Sequence, residues 1–245
     1  MTTRRETVLM RGALGAILLL AVASGQLAAR LDAQSVAGGG APNLSGRWAR
    51  AEGTSRLSPP VNELLNGRAR ALRGVLDEAA YPKYDCVAAT MPRIPTDGYN
   101  FQIRQEADRV LLMYEKDDVV RTVWLRGNGH QAPKSGEYFL QGYSTGWYED
   151  GQLLVETTRF VYDPHGFSDG SPTIASSQRK KVIERYWLDG DRLRVEVTAE
   201  DPLMLNAPYR YRYAWERTDD EWLAFECDVE NSQTILPFLP QKYGP

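Results

Sequence analysis

The chain has 245 residues and a formal net charge of −3, long enough for one sizeable core and without the basic excess that binding to nucleic acid or to an anionic membrane surface draws on. It contains two cysteines and two histidines, and Cys86, His130, His165 and Cys227 show none of the short pair spacing of a structural zinc site, so neither a metal nor another cofactor is expected.

Arg4, Arg5 and Arg11 form a basic start, and residues 13–23 (ALGAILLLAVA) are apolar without a single charge, as in a signal-peptide core. The run is too short to span a bilayer, which takes about 20 apolar residues. Small residues at Ala21, Ala23, Ser24 and Gly25 suit a peptidase, and no cysteine stands there to take a lipid. The expectation is a signal peptide over 1–25 and a soluble protein in the periplasm or outside the cell, with no integral membrane segment after cleavage. Thr3-Arg4-Arg5 also hints at twin-arginine export, although Thr7 and Val8 fit that pattern poorly. Cleavage removes Arg4, Arg5, Arg11 and Glu6, leaving the rest more acidic than the whole. In an oxidising compartment Cys86 and Cys227 tend to pair, and the long loop they close would contribute roughly 4 kcal/mol. The alternative is two separate buried thiols.

Residues 26–42 (QLAARLDAQSVAGGGAP) are small, polar and Gly-rich and read as a flexible leader; no Pro/Gly linker divides residues 43–245, which are taken as a single domain. Asn43 to Trp48 (NLSGRW) reads as a first strand with a buried Trp48, followed by a turn at Gly53-Thr54-Ser55. One helix is expected next: Ser58 can cap it, Pro59 and Pro60 suit its first turn, and Val61, Leu64, Leu65, Leu72, Val75 and Leu76 share a stripe. From Tyr99 the period becomes two. Tyr99, Phe101 and Ile103 alternate with polar residues, Val110, Leu112 and Tyr114 repeat the pattern, and 119–125 follows. Further hairpins turn at Asp150-Gly151 and Asp189-Gly190, with similar return strands LLVETT and LRVEVT. A last hairpin is expected to join 209–215 to 222–227. Altogether about ten strands are expected, enough to close a barrel of about eight, and the fold class is all-β with one N-terminal helix, an antiparallel β-barrel.

The LSGRW start resembles the Gly-x-Trp opening of lipocalin-like barrels, in which a first-strand Trp packs across the closed end. Nearly the whole of residues 43–245 resembles a large group of secreted bacterial proteins without an assigned function. The matching pieces are Cys86 with Met91-Pro92-Arg93-Ile94, Tyr114-Glu115, RTVWLRGNGH (121–130), GWYEDGQLLVETTRF (146–160), Glu184-Arg185-Tyr186, Asp201-Pro202 and Glu226-Cys227. The resemblance implies a secreted lipocalin-like barrel and no particular reaction. Members of the group often carry a histidine where this chain has Tyr143, and more between Phe160 and Glu184, so a histidine-dependent activity is not implied here.

No GxxxxGK[ST], HExxH or GxSxG motif is present. His130, beside Gly127 and Gly129, is a candidate general base at a barrel mouth or a solvent-facing loop residue; His165 lies in Asp163-Pro164-His165-Gly166, which reads as a turn. Glu156 and Glu184 lie within strands. Facing inward beside Arg121, Arg159 or Arg185 they would make an acid/base pair or a polar clamp, and facing outward, cross-strand ion pairs. The ladder Tyr209, Tyr211, Tyr213 and Trp215, with Trp124, Trp147 and Trp187, is either a ligand wall or an ordinary core.

The leading expectation is a small hydrophobic or amphipathic ligand inside the barrel, contacting Tyr143, Trp147 and Tyr211 and meeting Arg121 or Arg185 with its polar group. The rivals are an isomerase, hydratase or hydrolase using Glu156 or Glu184 with His130, and an interaction module of the envelope.

Overall fold

Runs in which apolar and polar residues alternate form strands, because a pleated backbone sends successive side chains to opposite faces. The computed structural model describes residues 40–239 other than 52, 97, 169–172 and 224; the expected signal peptide lies outside the described residues, as does the leader apart from 40–42. Twelve strands are formed among them: β1 (Gly46–Arg50), β2 (Ser55–Arg56), β3 (Phe101–Gln105), β4 (Arg109–Tyr114), β5 (Val119–Leu125), β6 (Tyr143–Glu149), β7 (Gln152–Thr158), β8 (Asp163–Ser168), β9 (Ile174–Ser176), β10 (Lys181–Asp189), β11 (Arg192–Glu200) and β12 (Tyr209–Arg217). Among the described residues no helix is long and apolar enough to cross a membrane.

Nine of the strands follow one another in the order β1-β3-β4-β5-β6-β7-β10-β11-β12, and β12 pairs back onto β1, with Trp48 opposite Arg217 and Arg50 opposite Trp215. The ring is a closed barrel. β2 continues along the same edge of β12, with Arg56 opposite Tyr211, while β8 and β9 form a separate two-stranded sheet. The stretch 163–166, expected to be a turn, is therefore the start of a strand.

One joint departs from the expected antiparallel barrel: β5 and β6 run parallel, Val123 to Leu125 lying beside Ser144 to Gly146. The reason is parity. Strands that alternate direction all the way round a ring must be even in number, so nine strands need a parallel neighbour. The long connection from 126 to 142 supplies it, since a parallel pair cannot be joined by a tight turn.

The expected single helix is also divided, into α1 (Val61–Leu64) and α2 (Gly67–Val75). Between them Leu65 bridges to Leu205, the Asn66 amide donates to the Met204 carbonyl at 2.9 Å, and the Asn66 side chain caps α2 by accepting from the Ala69 amide at 2.9 Å. Tertiary backbone pairing thus outcompetes continuation of the helix. The return strand expected at 222–227 is not formed at the described residues of that range either, because β11 holds one edge of β12 while β1 and β2 hold the other. That segment is tied instead by the Cys86–Cys227 disulfide, with Cα atoms 5.8 Å apart across 141 residues of sequence, and is followed by α3 (Val229–Gln233).

The inward face of the ring is packed with side chains. Phe101 sits among Tyr114, Tyr186 and Trp215 at ring-centroid distances of 4.9, 6.4 and 5.5 Å, and Tyr211 lies 5.2 Å from Tyr213. Trp48 is fully buried, donates its indole N–H to the Leu44 carbonyl at 3.1 Å, and is covered by the Arg217 guanidinium 4.4 Å from its ring centre.

Candidate functional site

Two charged residues take inward places in this apolar alternation. Arg121 stands between Val119 and Val123 on β5, and Glu184 between Val182 and Tyr186 on β10; their side chains are 1% and 0% exposed. They meet as a two-pronged pair, Nη1 to Oε1 at 3.0 Å and Nη2 to Oε2 at 2.5 Å. Nη1 also donates to the Tyr114 hydroxyl at 3.1 Å and Nη2 to Thr157 Oγ1 at 3.0 Å, Tyr186 donates to Glu184 Oε1 at 2.5 Å, and Thr157 shares a hydrogen bond of 2.8 Å with Ser144. Burial works to strip the charge from Arg121, but the Glu184 carboxylate together with Tyr114 and Tyr186 outweighs it and holds the guanidinium protonated well above its ordinary range. Burial likewise pushes the Tyr114 phenol up to about 12, so it stays a neutral hydrogen-bonding group. The Arg121 Nε, buried as well, has no hydrogen-bond partner.

The parallel joint opens a cleft beside this network. β5 and β6 pair only over Val123 to Leu125, and residues of the first half of β5 and of the chain leading into β6 both line the cleft. The cleft encloses about 410 Å³ and is lined by Val120, Thr122 and Trp124 from β5, by His130, Glu137, Phe139 and Gln141 from the connection, and by Tyr143. Arg121 and Ser144 also line it, so the cleft borders the residues that carry the buried network. His130 lies flat on Trp124, ring centres 3.6 Å apart with planes 4° from parallel, and Tyr143 is 5.9 Å further on. Gly142, also in the lining, has φ +72°, and a Cβ there would lie 2.7 Å from Thr157 Cγ2 and 2.8 Å from the Thr158 carbonyl.

The expected site residues thus separate into three places. Arg121 and Glu184 converge in the interior, while His130 and Tyr143 line the outer cleft that Arg121 borders. Glu156, Arg185 and Trp147 fall in the opposite phase of their strands. Glu156 lies 3.8 Å from Arg126, Arg185 is exposed, and Trp147 donates to Glu149 at 3.3 Å under the Arg126 guanidinium. Tyr211 is fully buried in the core and donates to the Pro92 carbonyl, away from the cleft. The acid/base set of Glu156, Glu184 and His130 is therefore not assembled: Glu156 stands on the outer wall, and Glu184 is fully occupied by Arg121 and Tyr186.

A second buried polar cluster joins β8 to the turn before β10. Lys180, 1% exposed, donates to Thr90 Oγ1 at 3.1 Å, Thr90 donates to Asp163 Oδ2 at 2.5 Å, and Asp163 Oδ1 accepts from the His165 amide at 2.8 Å. Burial lowers the Lys180 pKa to about 8 against the pull of Asp163 and Asp201. Sequence analysis missed Lys180, Ser144, Thr157 and Gly142. Thr157 was legible as the third inward place after Leu153 and Val155, whereas Lys180 follows two turn residues and carries no periodic signal.

No protein-family model matches the chain, and no curated protein matches it. Among solved structures the chain is similar to the wild-type fluorescent protein UnaG, with a TM-score of 0.34 and 12% identity over 71% of this chain and 97% of that one. It is similar to lipid binding protein 8 of Caenorhabditis elegans, with a TM-score of 0.34 and 10% identity over 71% of this chain and 94% of the other. A third likeness is to a secretary abundant heat soluble protein of Ramazzottius varieornatus, with a TM-score of 0.30 and 10% identity over 72% and 96% of the two chains. The strand pairing by itself closes the barrel.

Proposed function

We propose that this is an exported protein that binds a small, planar amphipathic ligand, and that the ligand lies in the cleft along the β5–β6 joint instead of on the barrel axis. The observation that carries the proposal is the cleft's composition: stacked Trp124 and His130 rings beside Tyr143, next to Arg121, whose Nε lacks a partner. Ligand sites combine apolar and aromatic walls with a few placed polar groups and commonly enclose about 300–1,000 Å³, a range that includes this cleft. The axial position favoured on sequence grounds is taken by the protein's own side chains, Phe101, Tyr186, Tyr211 and Trp215 among them. Export is supported by the basic start with its apolar run and by the Cys86–Cys227 bond, which suits an oxidising compartment.

The test is titration of the purified protein with anilinonaphthalene sulfonate, a planar aromatic anion, followed by probe fluorescence and tryptophan quenching. Saturable binding that quenches tryptophan fluorescence is expected, and its affinity should fall about tenfold or more in Trp124→Ala and in Tyr143→Ala. Absence of saturable binding, or binding indifferent to both substitutions, would overturn the proposal.

A further inference from the structure

A second groove lies apart from the β5–β6 cleft. It encloses about 820 Å³ between α2, the turn that follows β9 and the segments around 138, 162 and 203. Four large side chains open onto it: Val75, Tyr138, Tyr162 and Leu203 are 55%, 44%, 44% and 38% exposed. Scattered single apolar residues are ordinary on a surface, but four that converge on one groove mark a binding surface. Its charge is one-sided. Arg68 and Arg179 both line the groove, no carboxylate does, and neither guanidinium has an ion-pair or hydrogen-bond partner among the described residues. Elsewhere Arg104, Arg109, Arg121, Arg126 and Arg212 are matched with Asp or Glu.

We infer that this groove binds a free long-chain carboxylate, its hydrocarbon chain against Val75, Tyr138, Tyr162 and Leu203 and its anionic head between Arg68 and Arg179. An apolar floor alone would accept any greasy partner; the two unmatched guanidinium groups select a negative head, because arginine offers several donors that fit a planar carboxylate. The site does not depend on the cleft at the β5–β6 joint and shares no lining residue with it.

Calorimetric titration of the purified protein with palmitate tests this, with hexadecyltrimethylammonium, which carries the same chain on a cationic head, as the comparison. Saturable one-to-one binding of palmitate and none of the cation is expected. Affinity for palmitate should fall about tenfold or more in Arg68→Glu/Arg179→Glu and in Val75→Glu, and remain unchanged in Trp124→Ala. The groove positions are exposed, so the melting temperature of these variants should match that of the parent. Failure to bind palmitate, equal binding of the two amphiphiles, or loss of palmitate binding in Trp124→Ala would each overturn the inference. So would co-sedimentation with phosphatidylglycerol vesicles, abolished by the Arg68→Glu/Arg179→Glu pair, in a protein that ignores free palmitate, because the surface would then serve a membrane.

Discussion

Arg121 and Glu184 carry full charges into a space otherwise filled with aromatic and aliphatic side chains, and what holds them there is their mutual geometry. Removing one partner leaves the other charge buried without compensation, at a cost of about 3–5 kcal/mol, whereas removing both exchanges the desolvation of two ions for apolar packing. Glu184→Gln should therefore lower the urea midpoint sharply, and Arg121→Met/Glu184→Met should recover much of the loss; a Glu184→Gln variant as stable as the parent would contradict this account. Lys180 poses the opposite problem, a cation that burial drives toward neutrality, from an ordinary value of 10.5 to about 8. Between these values the unfolded chain holds a proton that the folded chain has released, so stability rises with pH across this window, and the gain is lost as pH falls through 8. The gain should reach about 2 kcal/mol by about pH 9.5 in denaturation curves of the parent and be absent in Lys180→Met. Beyond pH 10 the buried Tyr211 and Tyr213, whose phenols burial pushes up, oppose it, because the unfolded chain ionises them first. At this scale much was legible in strand phase alone. Glu184 shares the phase of Val182 and Tyr186, and Glu156 is out of phase with Leu153 and Val155, so their inward and outward positions follow from parity within the strand. Which inward residues would meet across the ring depends on strand order, which no single strand encodes.

At the scale of elements, the meander from Phe101 to Leu125 and the hairpin at Asp150-Gly151 follow from period and turn chemistry and form where the pattern places them, while the hairpin expected at Asp189-Gly190 turns one residue later, at Gly190-Asp191, with Asp189 still paired to Arg192. What the pattern did not contain was competition for edges and backbone groups. A segment at 222–227 with strand-like residues finds no free edge, and a helical stripe from 61 to 76 is interrupted because Leu65 and Asn66 pair with the chain near Leu205. The connection from 126 to 142 shows no strand period, yet it forms one side of the cleft. Gly142 is its tightest point, where a left-handed backbone and close packing against Thr157 and Thr158 coincide. Gly142→Ala should cost about 2 kcal/mol or more in thermal or urea unfolding and weaken anilinonaphthalene sulfonate binding, since the added methyl displaces the wall on which Tyr143 stands. A variant with unchanged stability would show that the connection yields there freely.

For the whole molecule, closure of the ring removes the free edges that an open sheet would present, and the disulfide fastens the segment after β12 back to the chain before β3. The ring nevertheless has unequal seams. β10 and β11 are zipped from Lys181 to Asp189, whereas β5–β6, β1–β3 and β1–β12 are each joined over three residue pairs. Transient opening of a protein follows its least-bonded boundaries. Amide deuterium uptake should therefore run ahead at 46–50, 123–125 and 144–146 and lag across β10 and β11. Among these short seams the parallel one is flanked by the cleft, so a guest could slip in sideways there, through the wall and not through an open end.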